Sequence, residues 1–234
     1  MSRPLSAICF CSLFSVFLVM PVTLQAQNFT REAFIRRDAN VDGQLSSTEY
    51  LLNRRDLDLE FARVHFQEID VDESQSLSLQ EYVGFDPQSN LSEIEREVFR
   101  MTNEQRALEG IAPVKISRIL SSYARDWTAQ MVKQLDTNHG VKGTESYASA
   151  RRTAAAKDMD LYYWGGSENV SRKTIEKDAP SQQIAQRAIN GWMESEGHRK
   201  NLMNPEQEFI GIGAMWSQAD GKYYFTQMYI KYPK

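Results

Sequence analysis

The sequence predicts an α+β protein in two parts: a small all-α unit over residues 28–86, then a larger unit of helices around an antiparallel sheet over 92–234. Three observations carry this. Residues 34–51, FIRRDANVDGQLSSTEYL, return 32 positions later as residues 66–83, FQEIDVDESQSLSLQEYV, without a gap. From Ser92 to Leu135 apolar residues recur at helical spacing. Near the end, FIGIGAMW (209–216) and KYYFTQMYI (222–230), rich in β-branched and aromatic residues, flank a short polar turn.

Before the repeat, residues 1–26 read MSRPLSAICFCSLFSVFLVMPVTLQA, with Arg3, an apolar run from Ala7 to Met20, and small Ala26 at the expected cut. This is the layout of a secretory signal peptide, and the run is shorter than the ~20 residues a spanning helix needs. No later stretch is apolar enough to span a membrane. Cys9 and Cys11, the only cysteines, both lie in this segment. An exported chain left without cysteine fits a bacterial protein, secreted or periplasmic. With 31 acidic residues against 27 basic ones and no Lys/Arg cluster, nucleic acid is not an expected partner.

The repeat has a chemical cause. A hard cation of calcium's size takes six to eight oxygens, which a twelve-residue loop offers from positions 1, 3, 5, 7, 9 and 12. In the first loop these are Asp38, Asn40, Asp42, the Gln44 carbonyl, Ser46 through water, and Glu49. Gly43 stands at position 6, where the backbone turns through a left-handed conformation. The second loop offers Asp70, Asp72, Ser74, the Ser76 carbonyl, Ser78 and Glu81, but Gln75 replaces the glycine. That strain is on the order of 1 kcal/mol, so a strong first site and a weaker second one are expected. Leu45 would meet Leu77 across a short strand pairing. The two copies resemble the EF-hand family. Calcium is abundant outside the cytosol, so a constitutive structural ion is expected rather than a switch.

FDPQSN at 85–90 marks a break, with residues 87–91 as the linker. Ser92 and Glu95 form a capping box, after which Ile94, Val98, Met101 and Leu108 keep helical spacing until Gly110. A second helix is predicted from Ser117 to Leu135, with Leu120, Tyr123, Ala124, Trp127 and Met131 on one face. A loop-rich middle follows (138–167), then a helix from about Ser181 with Ile184, Ala188 and Trp192 inward. The closing hairpin's Gly211 and Gly213 point to close backbone packing under helices rather than to a phosphate loop, since no helix follows them.

Several pieces then stand in a distinctive order: NEQRALEG (103–110), WTAQM (127–131), Asn138-His139, an S-x-R-R stretch before GGSENV (165–170), GWMESEGHRKNLMNP (191–205) and FIGIG (209–213). Together they resemble the CAP superfamily of cysteine-rich secretory, antigen 5 and pathogenesis-related 1 proteins, in a bacterial, cysteine-poor form. The resemblance implies an α-β-α sandwich with a cleft where two histidines and two glutamates converge. His139, Glu168 and His198 map onto that tetrad. The second glutamate does not, because Ser195 occupies its place; Glu194 or Glu196 could substitute, and Glu194 is preferred as one helical turn before His198. Such imidazoles could take Zn2+ or another late transition metal, oriented by the carboxylates.

Three functions of different kinds follow. One is a calcium-stabilised binding module for an extracellular lipid, peptide or envelope component. The second is a metal-assisted hydrolase, the third an interaction protein without chemistry. The enzyme reading lacks an H-E-x-x-H helix, a G-x-S-x-G elbow and a mature-chain cysteine, so no catalytic residue is assigned.

Overall fold

The computed structural model describes residues 31–231 apart from 53–58, 85, 87, 160 and 162. Residues 1–26, expected above to be a signal peptide and holding both cysteines, lie outside the described residues.

The N-terminal unit runs α1 (Arg31–Arg37), β1 (Gln44–Ser46), α2 (Ser47–Leu51), α3 (Leu59–Ile69), β2 (Ser76–Ser78) and α4 (Leu79–Gly84). β1 and β2 pair antiparallel with Leu45 opposite Leu77, both fully buried. The aromatic rings recur at the interval of the repeat and pack crosswise. Phe34 of the first copy meets Tyr82 of the second edge-on at 5.7 Å, and Tyr50 meets Phe66 at 5.6 Å. Neither copy can bury its aromatic face alone, which is why the sequence carries two.

The C-terminal unit runs α5 (Glu93–Leu108), β3 (Lys115–Ile116), α6 (Arg118–Gln134), α7 (Ala148–Asp158), β4 (Gly166–Lys173), α8 (Ser181–Glu194), α9 (Glu196–Leu202), β5 (Gln207–Ser217) and β6 (Lys222–Lys231). The sheet order is β3-β5-β6-β4, antiparallel except for the short parallel β3–β5 pair. Three layers result. Val98 and Met101 of α5 and Ile184, Ile189 and Trp192 of α8 bury one sheet face with Ile210, Ile212 and Phe225. Leu120 and Ala124 of α6 and Ala155 and Ala156 of α7 bury the other with Phe209, Met228 and Ile230. The period-two alternation of β6 feeds both layers at once.

Gly211 and Gly213 lie under α6. A Cβ on Gly211 would come within 2.2 Å of the Leu120 carbonyl carbon, and one on Gly213 within 2.6 Å of the Ala124 oxygen. The capping box is present at Ser92 and Glu95.

One expectation needs completing and one correcting. The loop-rich middle also holds a helix that the expectation did not name: α7 crosses it, illegible in the sequence because its buried face carries Arg151 and Arg152 beside alanines and so breaks the apolar period. Leu108 is 80% exposed, and the side chain buried in that last turn of α5 is Arg106. Its guanidinium donates to the carbonyls of Ala112 (2.8 Å), Leu202 (2.8 Å) and Asn204 (2.9 Å), which tie loops to α5.

Candidate functional site

The cleft residues are set by the elements around the outer edge of β4, the end strand of the sheet. α6 stops at Leu135 in a left-handed conformation, φ 53°. The Trp127 indole then donates to the Asn138 carbonyl at 2.9 Å, and the Ala148 amide to the His139 carbonyl at 2.8 Å. Gly140 holds φ +80° where a Cβ would come within 1.9 Å of the Ser146 oxygen, so the turn behind His139 admits glycine alone. His139 is thereby fixed from both sides along the main chain.

β4 presents Glu168 and Val170 to the α6–α7 face and Asn169 to the opposite one. Glu168 is almost wholly buried, and both its oxygens are engaged. Oε1 lies 2.9 Å from His139 Nδ1, and Oε2 accepts from Arg151 at 2.6 Å. Arg151 also bonds the Ser146 carbonyl and stacks on Trp127, its guanidinium carbon 3.8 Å from the ring centroid. From the other face, Asn169 donates to the His198 carbonyl at 3.1 Å, while Asn201 donates to the Asn169 side chain at 2.9 Å. Burial, His139 and Lys173 hold His198 below the ordinary imidazole range. Burial, helped by Arg187, lowers Lys173 as well, against the pull of Glu194. Its ammonium occupies the space a Cβ on Gly191 would take, 2.0 Å away.

The structure therefore joins His139 to Glu168 and brings His198 within the field of His139. It does not join Glu194 to them. The helix breaks at Ser195, whose extended φ −93°, ψ 118° separates α8 from α9, so Glu194 and His198 do not share a helical face. Glu194 is exposed and makes no hydrogen bond or ion pair among the described residues; its charge acts on Lys173. Arg151, Asn169, Lys173 and Asn201 are the site residues that sequence reasoning misses. Arg151 and Asn169 fall inside the quoted S-x-R-R and GGSENV stretches, but a buried arginine looks like a surface one in a sequence.

Chemically, the site offers two imidazoles and one buried carboxylate with a partner on each oxygen. Among the described residues no hydroxyl hydrogen-bonds to either histidine, so the nucleophile–base contact of covalent catalysis is not formed.

The two N-terminal loops share one bonding pattern. Asp38 accepts from the Asp42 and Gly43 amides at 3.1 and 2.9 Å, and Asp70 from the Ser74 and Gln75 amides at 2.9 and 2.9 Å. Glu49 Oε1 reaches back to the Ala39 amide at 3.0 Å, and Glu81 Oε1 to the Val71 amide at 2.9 Å. The Ser46 donors hold the Glu49 carboxyl below its usual range. Gly43 has φ +81°, and Gln75 is forced to φ +65° at the same place. Ligand oxygens of Asp70, Asp72 and Glu81 all lie within 4.8 Å of one another, the one acidic or histidine trio so arranged among the described residues.

The pattern of the CAP family, described as the cysteine-rich secretory protein family, matches residues 99–229. The uncharacterised protein YkwD of Bacillus subtilis is 30% identical over 135 residues, 56% of this chain and 48% of that protein. YlbC of the same organism, an uncharacterised membrane protein, is 28% identical over 137 residues, 58% of this chain and 34% of that one. The chain thus spans less than half the length of either relative. An outer surface protein of Borrelia burgdorferi shares the fold with TM-score 0.50 at 19% identity, over 62% of this chain and 96% of that one. No helix among the described residues is long and apolar enough to cross a membrane. With the family pattern matched over more than half its length, the chain belongs to the CAP family of cysteine-rich secretory proteins.

Proposed function

We propose that the chain is an exported calcium-binding protein whose CAP domain is a binding module for an extracellular or envelope ligand, a lipid, a peptide or a cell-wall component. In this reading residues 1–26 are a removed signal peptide, 28–86 an EF-hand pair, 87–91 a linker and 92–234 the CAP domain, and the location is secreted or periplasmic. The observation that supports a binding rather than a catalytic role is the burial of Glu168: its side chain is 1% exposed, with Arg151 on one oxygen and His139 on the other, so it orients its neighbours instead of meeting water as a free base. What remains for a ligand is the part-exposed imidazoles of His139 and His198, with Lys173 acting on the second.

Zinc fits this cleft poorly. The free ring nitrogens of His139 and His198 would be its only protein ligands, against the three of an open zinc site, and Arg151 and Lys173 place positive charge alongside. No chemistry is assigned to a cleft metal. Calcium fits the repeat better. The convergence of Asp70, Asp72 and Glu81 supports an ion in the second loop, and the identical bonding of Asp38 and Glu49, together with the Asn40, Asp42 and Gln44 oxygens, supports one in the first.

Titrating the metal-stripped chain with calcium should give two binding events, the Asp38–Glu49 loop tighter, with a raised melting temperature. Glu49→Gln should abolish one event and Glu81→Gln the other; a melting temperature indifferent to calcium would sink this part. For the cleft, a panel of ester, peptide, glycan and phosphate substrates should show no turnover that depends on His139. Turnover lost in both His139→Ala and His198→Ala would overturn the binding assignment.

A further inference from the structure

The two units meet where each completes the other's helix. α3 ends at Ile69 and runs directly into the second loop at Asp70. α6 begins at Arg118 with Ser117 as its N-cap. Glu68, 5% exposed, spans the gap between them. Its Oε1 accepts from the Ser117 hydroxyl at 2.5 Å and the Ile119 amide at 3.3 Å, and its Oε2 from the Arg118 amide at 2.6 Å. A carboxylate of the N-terminal unit thus satisfies amides that the first turn of a 17-residue helix leaves open.

The exchange is mutual. The Arg118 guanidinium donates to the carbonyls of Gln67 at 3.0 Å, Glu68 at 3.3 Å and Asp70 at 3.1 Å. These are the carbonyls that the end of α3 leaves without helical partners. Asp70 is also the first residue of the second loop. Val64, one turn earlier on α3, packs in the same cluster as Leu120 and Ala124 of α6. Beside this junction opens a cleft of about 470 Å3 whose walls include Asp72, Glu81 and Arg118. The first loop has no part in the junction: every hydrogen bond of residues 38–49 among the described residues stays within the N-terminal unit.

We infer that calcium binding by the second loop and docking of the N-terminal unit on the CAP domain form one coupled equilibrium, with the α3–α6 junction as the coupling element. The inference rests on the calcium reading above. An ion held by Asp70, Asp72 and Glu81 fixes the end of α3, the surface that Arg118 grips. The docked α6 in return pre-orders the loop's first ligand, which lowers the ordering that binding demands. Docking does not compete with ligation, because Arg118 bonds main-chain carbonyls and leaves the three carboxylates to the ion. By linkage, docking raises the second loop's affinity by the same factor by which the ion strengthens docking. The junction thus offsets the strain at Gln75, and the two loops divide their work: the first holds its own unit together and the second joins that unit to the CAP domain.

The test uses the full chain, metal-stripped and titrated with calcium, followed by NMR at the Gly43 and Gln75 amides, each of which donates to the first aspartate of its loop. Arg118→Lys and Glu68→Gln should weaken the affinity reported by Gln75 about five-fold or more, while the affinity reported by Gly43 moves less than about two-fold. The reverse perturbation leaves the junction's own residues intact. Glu81→Gln should lower hydrogen-exchange protection of the Arg118 and Ile119 amides in calcium, and Glu49→Gln should not. A Gln75 affinity unchanged by both junction variants, or protection indifferent to Glu81→Gln, overturns the coupling and leaves the calcium reading standing. No response of either amide to millimolar calcium overturns both.

Discussion

Glu168 meets His139 Nδ1 at 2.9 Å on one oxygen and accepts from Arg151 on the other, so removing Arg151 leaves a carboxylate whose side chain is 1% exposed with a single partner. Breaking a buried pair from one side is strongly destabilising, and Arg151→Met should lose roughly 3–5 kcal/mol in urea denaturation. A loss below about 1 kcal/mol would mean that water reaches Glu168 and that its burial is misread. His198 gives a second check. Its folded value is depressed by burial, His139 and Lys173, so its contribution to stability is intact above the ordinary value of about 6.5 and is lost as pH falls from there to the folded value. The urea midpoint should therefore drop between pH 7 and 5 in the parent and drop less in His198→Gln; equal slopes would contradict the assignment. Neither Arg106 nor Arg151 is legible as buried in the sequence. Only the carbonyls, the Trp127 ring and the carboxylate brought by distant segments make burial of a guanidinium possible.

Elements with their own periodicity are readable from the sequence alone. α5, α6 and α8 declare themselves by apolar spacing, and β5–β6 by alternation on either side of a polar turn. β4 does not, because GSENVSRK has one apolar residue and becomes a strand only through its ladder with β6. The break at Ser195 is hidden for a related reason: the peptide GWMESEGHRKNL reads as continuous helix, whereas in the fold α9 after the break is tied to β4, Asn169 donating to the His198 carbonyl and Asn201 of α9 to the Asn169 side chain. The glycines under α6 sit where their spacing in the hairpin predicts, and they carry a test. Gly211→Ala puts a methyl within 2.3 Å of two backbone atoms of Leu120, which no side-chain rotation relieves. α6 must lift from β5, a loss of about 1–3 kcal/mol and several degrees of melting temperature by calorimetry. Gly221→Ala, at the hairpin turn with open space around it, meets no packing obstacle and should lose only the smaller strain of its positive φ. Equal losses at the two positions would refute the packing argument.

The molecule is a CAP domain with a duplicated acidic-loop unit docked against the start of its α6, and the same helix ends beside the cleft, where Trp127 holds the main chain ahead of His139. One rigid element therefore runs between the second loop and the cleft. The sequence carries the repeat and its register, and it names His139 and Glu168, which the structure pairs; it cannot carry the docking, because Glu68 and Arg118 are ordinary helix-surface residues until the two helix ends meet. In the proposed division of labour metal belongs to the loops, and ligand recognition, without a resident metal, to the cleft. Anomalous scattering from crystals of the full chain grown with calcium and zinc together separates these assignments in one data set. We expect calcium at Asp38–Glu49 and at Asp70–Glu81 and no metal between His139 and His198. Loops without calcium, or zinc bridging the two histidines, would contradict it.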